Sequence, residues 1–333
     1  METNRTQNDG EYGSSPEMSQ TGKSDVVVLG ELNVDLIANN IEGPPEMGKE
    51  VIARSFTTTL GSSSAIFASN LSTLGTSVTF VGRVGNDGNG DFILAELQSK
   101  GVDVSNTIRT GNRDTGVTVV LSYGEDRAMI TYPGCMTYLC DDDVTDDVLK
   151  SSRHLHISSI FLLPRLKKNL VRLLTRAKRL GLTTSLDPQW DPAERWDLDL
   201  DQVLPLTDIF LPNRRELEFL TGTSGIMNAL TRIGDGNVIV VKDGKEGAIL
   251  WDHGTTFMQR SFLNEHVVDT IGAGDSFNAG FIHKYLVGEP LNECLKFACL
   301  IGAINTTAPG GTAAFRDMNA VRRTAQDLFG ISI

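Results

Sequence analysis

Apolar residues along this chain gather in short unbroken runs rather than alternating with polar ones. DVVVLGELNVD (residues 25–35) opens on a β-branched run that ends at Gly30, and similar runs recur at VTFVG (78–82), HLHIS (154–158), TTSLD (183–187), DIFLP (208–212) and NVIVVK (237–242). A run with no polar face predicts a strand covered on both sides, as in a parallel sheet. Between several of them lie patterns of helical period. In LKKNLVRLLTRAKRLG, Leu166, Leu170, Leu173, Leu174, Ala177 and Leu180 share one face, and Gly181 can close the helix. Strands alternating with helices predict an α/β fold, a doubly wound and mostly parallel sheet flanked by helices.

Two stretches break that rhythm. IEGPPEMGKEVIARSFTTTL (41–60) and DTGVTVVLSYGEDRAMITYPG (114–134) alternate partly between polar and apolar positions and read as hairpins, the second turning at Gly124, Glu125 and Asp126. They predict insertions around 38–60 and 113–134 that build one small β-sheet, a lid if it lies over the carboxyl ends of the strands. Residues 1–24 contain no Leu, Ile, Val or Phe, so they offer neither a core segment nor the apolar stretch of a signal peptide. They predict a disordered tail, with residues 25–333 as one domain.

Charge narrows the partners. With 30 Lys and Arg against 42 Asp and Glu, a net charge of −12, the chain lacks the basic footprint of a nucleic-acid binder. A phosphate-bearing ligand must then be held by local groups. No apolar run is long enough to span a membrane. The four cysteines, Cys135, Cys140, Cys294 and Cys299, show neither CxxC spacing nor a His-rich partner, which predicts reduced, structural thiols and a cytoplasmic protein.

The chemistry concentrates in VVDTIGAGDSFNAGFIHKYL (267–286), where Gly272, Ala273 and Gly274 precede Asp275 and an apolar helical pattern. Such small residues can present backbone N–H groups outward, and with the helix dipole they make an anion hole suited to a phosphoryl group in transfer. Asp275 would take the proton of an attacking hydroxyl. Its place at a helix start predicts a carboxylate that stays ionised. Taken alone, an Asp there is more often a helix cap.

The longer string decides between the two. DTIGAGDSFNAGF closely resembles the C-terminal signature of the ribokinase-like carbohydrate kinases, the phosphofructokinase-B type family. GELNVD resembles that family's first strand and turn, and LGSSSAIFASNLSTLGTSVTFVGRVGNDGNGDFI its N-terminal signature, with Gly82, Gly85, Asp87 and Gly90 as the later turn. LPNRRELEFLTG is similar to its Asn-x-x-Glu motif at Asn213 and Glu216, and VVKDGKEGAIL to its nucleotide-side turn. The resemblance runs from about Val26 onward and implies a ribokinase-like fold and an ATP-dependent kinase for a hydroxymethyl group.

It also implies roles. Asp275 would be the base, with Gly272, Ala273 and Gly274 as the anion hole. Asn213 and Glu216 would order Mg2+ and its waters around the ATP phosphates, a role suited to a hard cation. Lys242, Gly244, Gly247, Asn305, Pro309 and Gly310 would lie on the ATP side. Asn33, Asp35, Gly61, Ser62, Ser63 and Ile66 would line the substrate side, Asp35 through charge-assisted hydrogen bonds. Asp269 stands where many members place the acid of a monovalent-cation site, implying K+.

The departures matter too. The substrate loop is commonly Gly-Gly followed by an Asn that binds sugar hydroxyls; here Gly61 is followed by Ser62, Ser63 and Ser64, and Ile66 holds the Asn place. An unpaired sugar hydroxyl would cost about 1–3 kcal/mol, which weighs against ribose. The loop has no Lys or Arg, which points to a neutral substrate, while Arg113 and Arg165 read as surface arginines. In SLDPQWDP, where several members carry Asp-x-Asn-x-Arg, Asp187 is kept, Gln189 replaces Asn and Asp191 replaces Arg. The carboxylate-binding Arg is therefore missing. A small neutral sugar or sugar-like substrate is the leading expectation. The alternatives are a nucleoside kinase, with Ile66 and Phe67 in a base-binding wall, and a silent family member that binds sugar or nucleotide. A Rossmann oxidoreductase fails because Gly30 is followed by Glu31 and Leu32 instead of the G-x-G-x-x-G pattern. The small sheet predicts a homodimer through its exposed face.

Overall fold

The computed structural model describes residues 24–123 and 126–333; residues 1–23 of the expected tail, and Gly124 and Glu125 of the expected turn, lie outside the described residues. The strands run β1 (Val26–Leu29), β2 (Asn33–Asn39), β3 (Ser55–Leu60), β4 (Val78–Val81), β5 (Arg83–Gly85), β6 (Ile108–Thr110), β7 (Gly116–Tyr123), β8 (Asp126–Tyr132), β9 (His154–Ser158), β10 (Thr183–Asp187), β11 (Ile209–Phe210), β12 (Val238–Lys242), β13 (Ala248–Asp252) and β14 (Thr255–Gln259). Eight of them form the central sheet in the order β14-β13-β12-β11-β10-β9-β1-β4. All neighbours pair in parallel except β12 with β13 and β13 with β14, an antiparallel edge. After β1 the chain goes to β4 on one side and later returns to β9 on the other. That reversal beside β1 is the crevice where ligands bind in such sheets.

The unbroken apolar runs have a simple cause. Val26 and Val28 belong to one buried cluster, while Val27 and Leu29 belong to the cluster across the sheet. Val240 and its neighbours Ile239 and Val241 divide the same way. Each fully buried side chain of this size contributes about 1.5–3 kcal/mol, so a polar residue on either face would be costly.

Four strands form the second sheet, in the order β3-β2-β7-β8. Here the sequence expectations need correction. The run that ends at Gly30 is β1 as expected, but a second strand, β2, follows it into the small sheet, where polar Asn33 and Asp35 alternate with Val34 and Leu36. Residues 41–60 are not a hairpin by themselves: β3 pairs antiparallel with β2, so the hairpin's first strand lies before Ile41. β7 and β8 do form the second hairpin, and β2 pairs with β7 in parallel. The helix expected over 166–180 is two, Pro164–Lys168 and Leu170–Arg179, meeting at Asn169 with φ −111° and ψ 13°.

Candidate active site

The side chains that converge come from the carboxyl ends of parallel strands. Glu31 follows β1, Ser158 ends β9, Asp187 ends β10, Asn213 follows β11 and Lys242 ends β12. Opposite them stands the helix Ala273–Leu286, whose N-cap is Gly272 at φ +75°. A Cβ on Gly272 would lie 2.6 Å from Gly311 Cα and 3.1 Å from Ile66 Cγ2, so both the backbone conformation and the space require glycine. Asp275 is therefore the third helical residue rather than the cap. Its side chain points inward and is 7% exposed.

That burial changes its titration. Desolvation first, and the Asp187 carboxylate next, raise the Asp275 carboxyl from 3.8 to about 7; Lys242 and the Ser63 hydroxyl pull the other way. The expectation of a carboxylate kept fully ionised by the helix dipole is thus overturned, because removal from water outweighs the dipole. The group is a stronger base than a surface Asp, poised near neutral pH. Gln189 Nε2 donates to Asp275 Oδ1 at 2.9 Å.

Behind it lies a charged cluster. Lys242 Nζ donates to Asp187 Oδ2 at 2.6 Å and sits 3.4 Å from Asn278 Oδ1. Burial alone would lower Lys242, but the Asp187 and Glu216 carboxylates hold it above its usual value. Asn213 caps the helix Arg214–Thr221 and forms a reciprocal box with Glu216: its Oδ1 accepts the Glu216 N–H at 2.9 Å, and its own N–H reaches Glu216 Oε2 at 2.8 Å. Burial, then Asp187, raise Glu216 to about 8, while Lys242 lowers it. Gly244 and Gly247 bound the short turn after Lys242.

The other side is built on Asp35. Asn33 Nδ2 donates to Asp35 Oδ1 at 2.8 Å and to Thr118 Oγ1 at 3.0 Å, joining β2 to β7. Gly61 passes so close that a Cβ there would stand 2.2 Å from Asp35 Oδ1. Burial raises Asp35 to about 7; Asn33 and Arg127 oppose this, and Glu31 and Asp269 add to it. Ser62 caps the helix Ser63–Thr73, and Ser63 follows beside Asp275. Glu31 is buried beneath this loop, accepting from Ser159 Oγ at 2.9 Å and from Ser64. Arg113 and Arg165 lie apart from this cluster's contacts, stacked at 5.2 and 4.3 Å over the Tyr138 ring.

Comparison with known proteins decides what this constellation belongs to: the profile of the pfkB family carbohydrate kinases matches residues 23–318. The chain is a member of the pfkB family of carbohydrate kinases. It is 30% identical over 306 residues to the 2-dehydro-3-deoxygluconokinase of Bacillus subtilis, covering 86% of this chain and 91% of that one. It is 27% identical to a nucleoside kinase of Methanothermobacter thermautotrophicus, covering 91% and 96%. A ribokinase II structure from E. coli in complex with ATP and Mg2+ aligns at a TM-score of 0.79, with 26% identity over 91% of this chain and 99% of that one. Arabidopsis thaliana ribokinase complexed with ribose and ATP aligns at 0.78 with 25% identity, covering 93% and 99%. The ribokinase-like fold and an ATP-dependent carbohydrate kinase, a transferase, follow from this membership.

Within the kinase, several of the remaining expected residues brace the turn at Gly272. Asp269 Oδ1 accepts from Ile271 N and its Oδ2 from Gly310 N, at 2.9 and 2.8 Å. Asn305 is fully buried, donating to Ile271 O at 2.6 Å and accepting from Ser276 Oγ at 2.7 Å. Pro309 lies exposed beside Gly310. Ile66 is buried in its helix against Gly272 and Gly311, where its side chain supports the turn. Glu31, Asp187, Gln189 and Asn278 also belong to the cluster, though sequence reasoning gave none of them a role. One signal was available: Glu31 and Asp187 sit at strand carboxyl ends, and Asn278 is one turn beyond Asp275.

Proposed function

We propose that the kinase transfers the γ-phosphoryl group of ATP to the hydroxymethyl group of a small neutral sugar or sugar-like molecule, with Asp275 as the base. The observation that carries the reading is the buried Asp275 carboxylate, two residues past the start of a helix whose cap, Gly272, admits no side chain. The hydroxyl proton passes to Asp275, the oxygen bonds to the γ-phosphorus, and the bond to the β-phosphate oxygen breaks to leave ADP. The first-turn N–H groups of the helix would meet the charge that develops. Glu31, Asp35, Asp269 and Asp275 gather on the sugar side with Arg127 as the cation that acts on Asp35, which supports a neutral substrate.

Glu216 offers buried carboxylate oxygen beside Asp187, a hard donor set that fits Mg2+. When bound, Mg2+ would neutralise phosphate charge; Glu216 and Asn213 would hold its waters, and Lys242, Gly244, Gly247 and Gly310 would border the nucleotide. K+ is the proposed second cation beside Asp269, and a rate unchanged when K+ is replaced by a tetraalkylammonium ion would argue against it.

The small sheet is the proposed lid. One of its faces carries Asp35, Thr118 and Arg127; the other carries Phe56, Ile130 and Tyr132, exposed at 64, 66 and 51%. An apolar face of this kind supports a homodimer, measurable by sedimentation. No helix among the described residues is long and apolar enough to cross a membrane, and the free cysteines support a cytoplasmic site of action.

A screen of ADP release over aldoses, ketoses, sugar acids, sugar phosphates and nucleosides tests the reading. Turnover with a neutral polyhydroxylated substrate, lost in Asp275→Asn, is the expected result. Full activity in Asp275→Asn would overturn the base assignment, and turnover confined to nucleosides would redirect the substrate.

A further inference from the structure

We infer that Gln189 is a positioning residue for the transfer step, holding one oxygen of Asp275 so that the other is left to face the attacking hydroxyl. The inference rests on the reading of Asp275 as the base. Gln189 Nε2 donates to Asp275 Oδ1 at 2.9 Å and to Asp187 Oδ2 at 3.1 Å, and a carboxamide nitrogen has two N–H groups with which to do both. The main-chain N–H of Gln189 reaches Asp187 Oδ1 at 3.2 Å. One residue thus ties the helix that carries Asp275 to the end of β10 and sets a donor between two carboxylates that would otherwise repel.

The loop around it is built to hold that pose. Gln189, Glu194 and Trp196 all adopt left-handed backbone, at φ 57°, 50° and 52°. Residues other than glycine remain in that region only where their surroundings over-determine it. Asp191, 3% exposed, supplies the constraint: its carboxylate accepts the N–H groups of Ala193, Arg195 and Trp196 at 2.9, 2.9 and 2.8 Å. Trp196 then stacks on Phe219 with ring centroids 5.1 Å apart, and Trp190 meets both edge-on. Phe219 belongs to the helix Arg214–Thr221 that carries Glu216. The strained loop is therefore braced against the element that supplies the expected metal-side carboxylate, and its amide is aimed at the base.

Gln189→Met keeps the length and loop packing but removes both donors. In steady-state and single-turnover assays, kcat should fall about 30-fold with both KM values within about threefold, the pattern of a contact that counts only in the transition state. Added to Asp275→Asn, the same change should alter the residual rate by less than about twofold, because the two act as one unit. Gln189→Ala checks the result should the Met variant fold poorly, with the thermal midpoint as control. A kcat near wild type in both variants would overturn the proposal, as would the same fold-loss with and without Asp275. An active Asp275→Asn would instead refute the base reading, so the two failures are distinguishable.

Discussion

Asp275→Asn should cut turnover sharply and, at pH 8 without ligands, make the kinase more stable. Burial and the nearby Asp187 carboxylate raise the Asp275 carboxyl from 3.8 to about 7. Between those values the folded chain keeps a proton that the unfolded chain has released, so stability falls as pH rises and levels off above about pH 7. A gap of about three pH units at 1.36 kcal/mol each sets a ceiling of ~4 kcal/mol. Relaxation of the cleft and entry of water reduce the expected penalty to about 2 kcal/mol. Asparagine has the same shape, carries no charge, and can still accept from Gln189. Urea unfolding followed by circular dichroism, without nucleotide or Mg2+, should show a gain of about 2 kcal/mol at pH 8 and less than half of that at pH 5. The turnover lost should be 10²-fold or more, the usual order for a general base. A variant no more stable than wild type at pH 8, or one whose gain is the same at both pH values, would refute the electrostatic reasoning.

Gly272→Ala should lose about 2–4 kcal/mol in calorimetry, from its φ of +75° and the 2.6 Å approach to Gly311, whereas Gly274→Ala, whose Cβ would meet Lys242 at an ordinary 3.8 Å, should stay within about 1 kcal/mol. Equal effects at the two positions would contradict the assigned geometry. Gly61→Ala puts a methyl group 2.2 Å from Asp35 Oδ1 and should raise the sugar KM about tenfold or more while sparing the ATP KM; an unchanged sugar KM would show that the sugar does not use Asp35. Glu216→Gln should raise the Mg2+ concentration needed for half-maximal rate, and a Mg2+ titration superimposable on wild type would remove Glu216 from the metal site.

Much of the framework was legible because its signals are local. Runs such as VVVL and VIVV name strands covered on both faces, and the turn into a helix at Gly272 was legible from thirteen consecutive residues. What escaped depends on contacts distant in sequence. The ionisation of Asp275 could not be judged from its helix position, since its burial and Asp187, 88 residues away, decide it. Gln189 was noticed only as a replacement for the Asn of a family pattern, and nothing local shows that its amide lies between two carboxylates. The break at Asn169 was hidden because the leucines on either side keep the same phase through it.

Ile66 shows why a departure from a family pattern need not mark a lost function. Its side chain fills the space that glycine leaves at 272 and 311, and Asn70, one turn further along the same helix, donates to Ser276 Oγ and Gly311 O at 2.9 Å each. The helix Ser63–Thr73 thus forms a wall behind the turn at Gly272. An apolar group at residue 66 suits that wall, because it packs on glycine backbone at 272 and 311. Ile66→Asn should consequently cost about 2–4 kcal/mol in stability, from lost apolar burial and an unpaired amide, without conferring ribose turnover. A stable Asn variant with new ribose activity would show instead that residue 66 faces the sugar and that the wall does not need it.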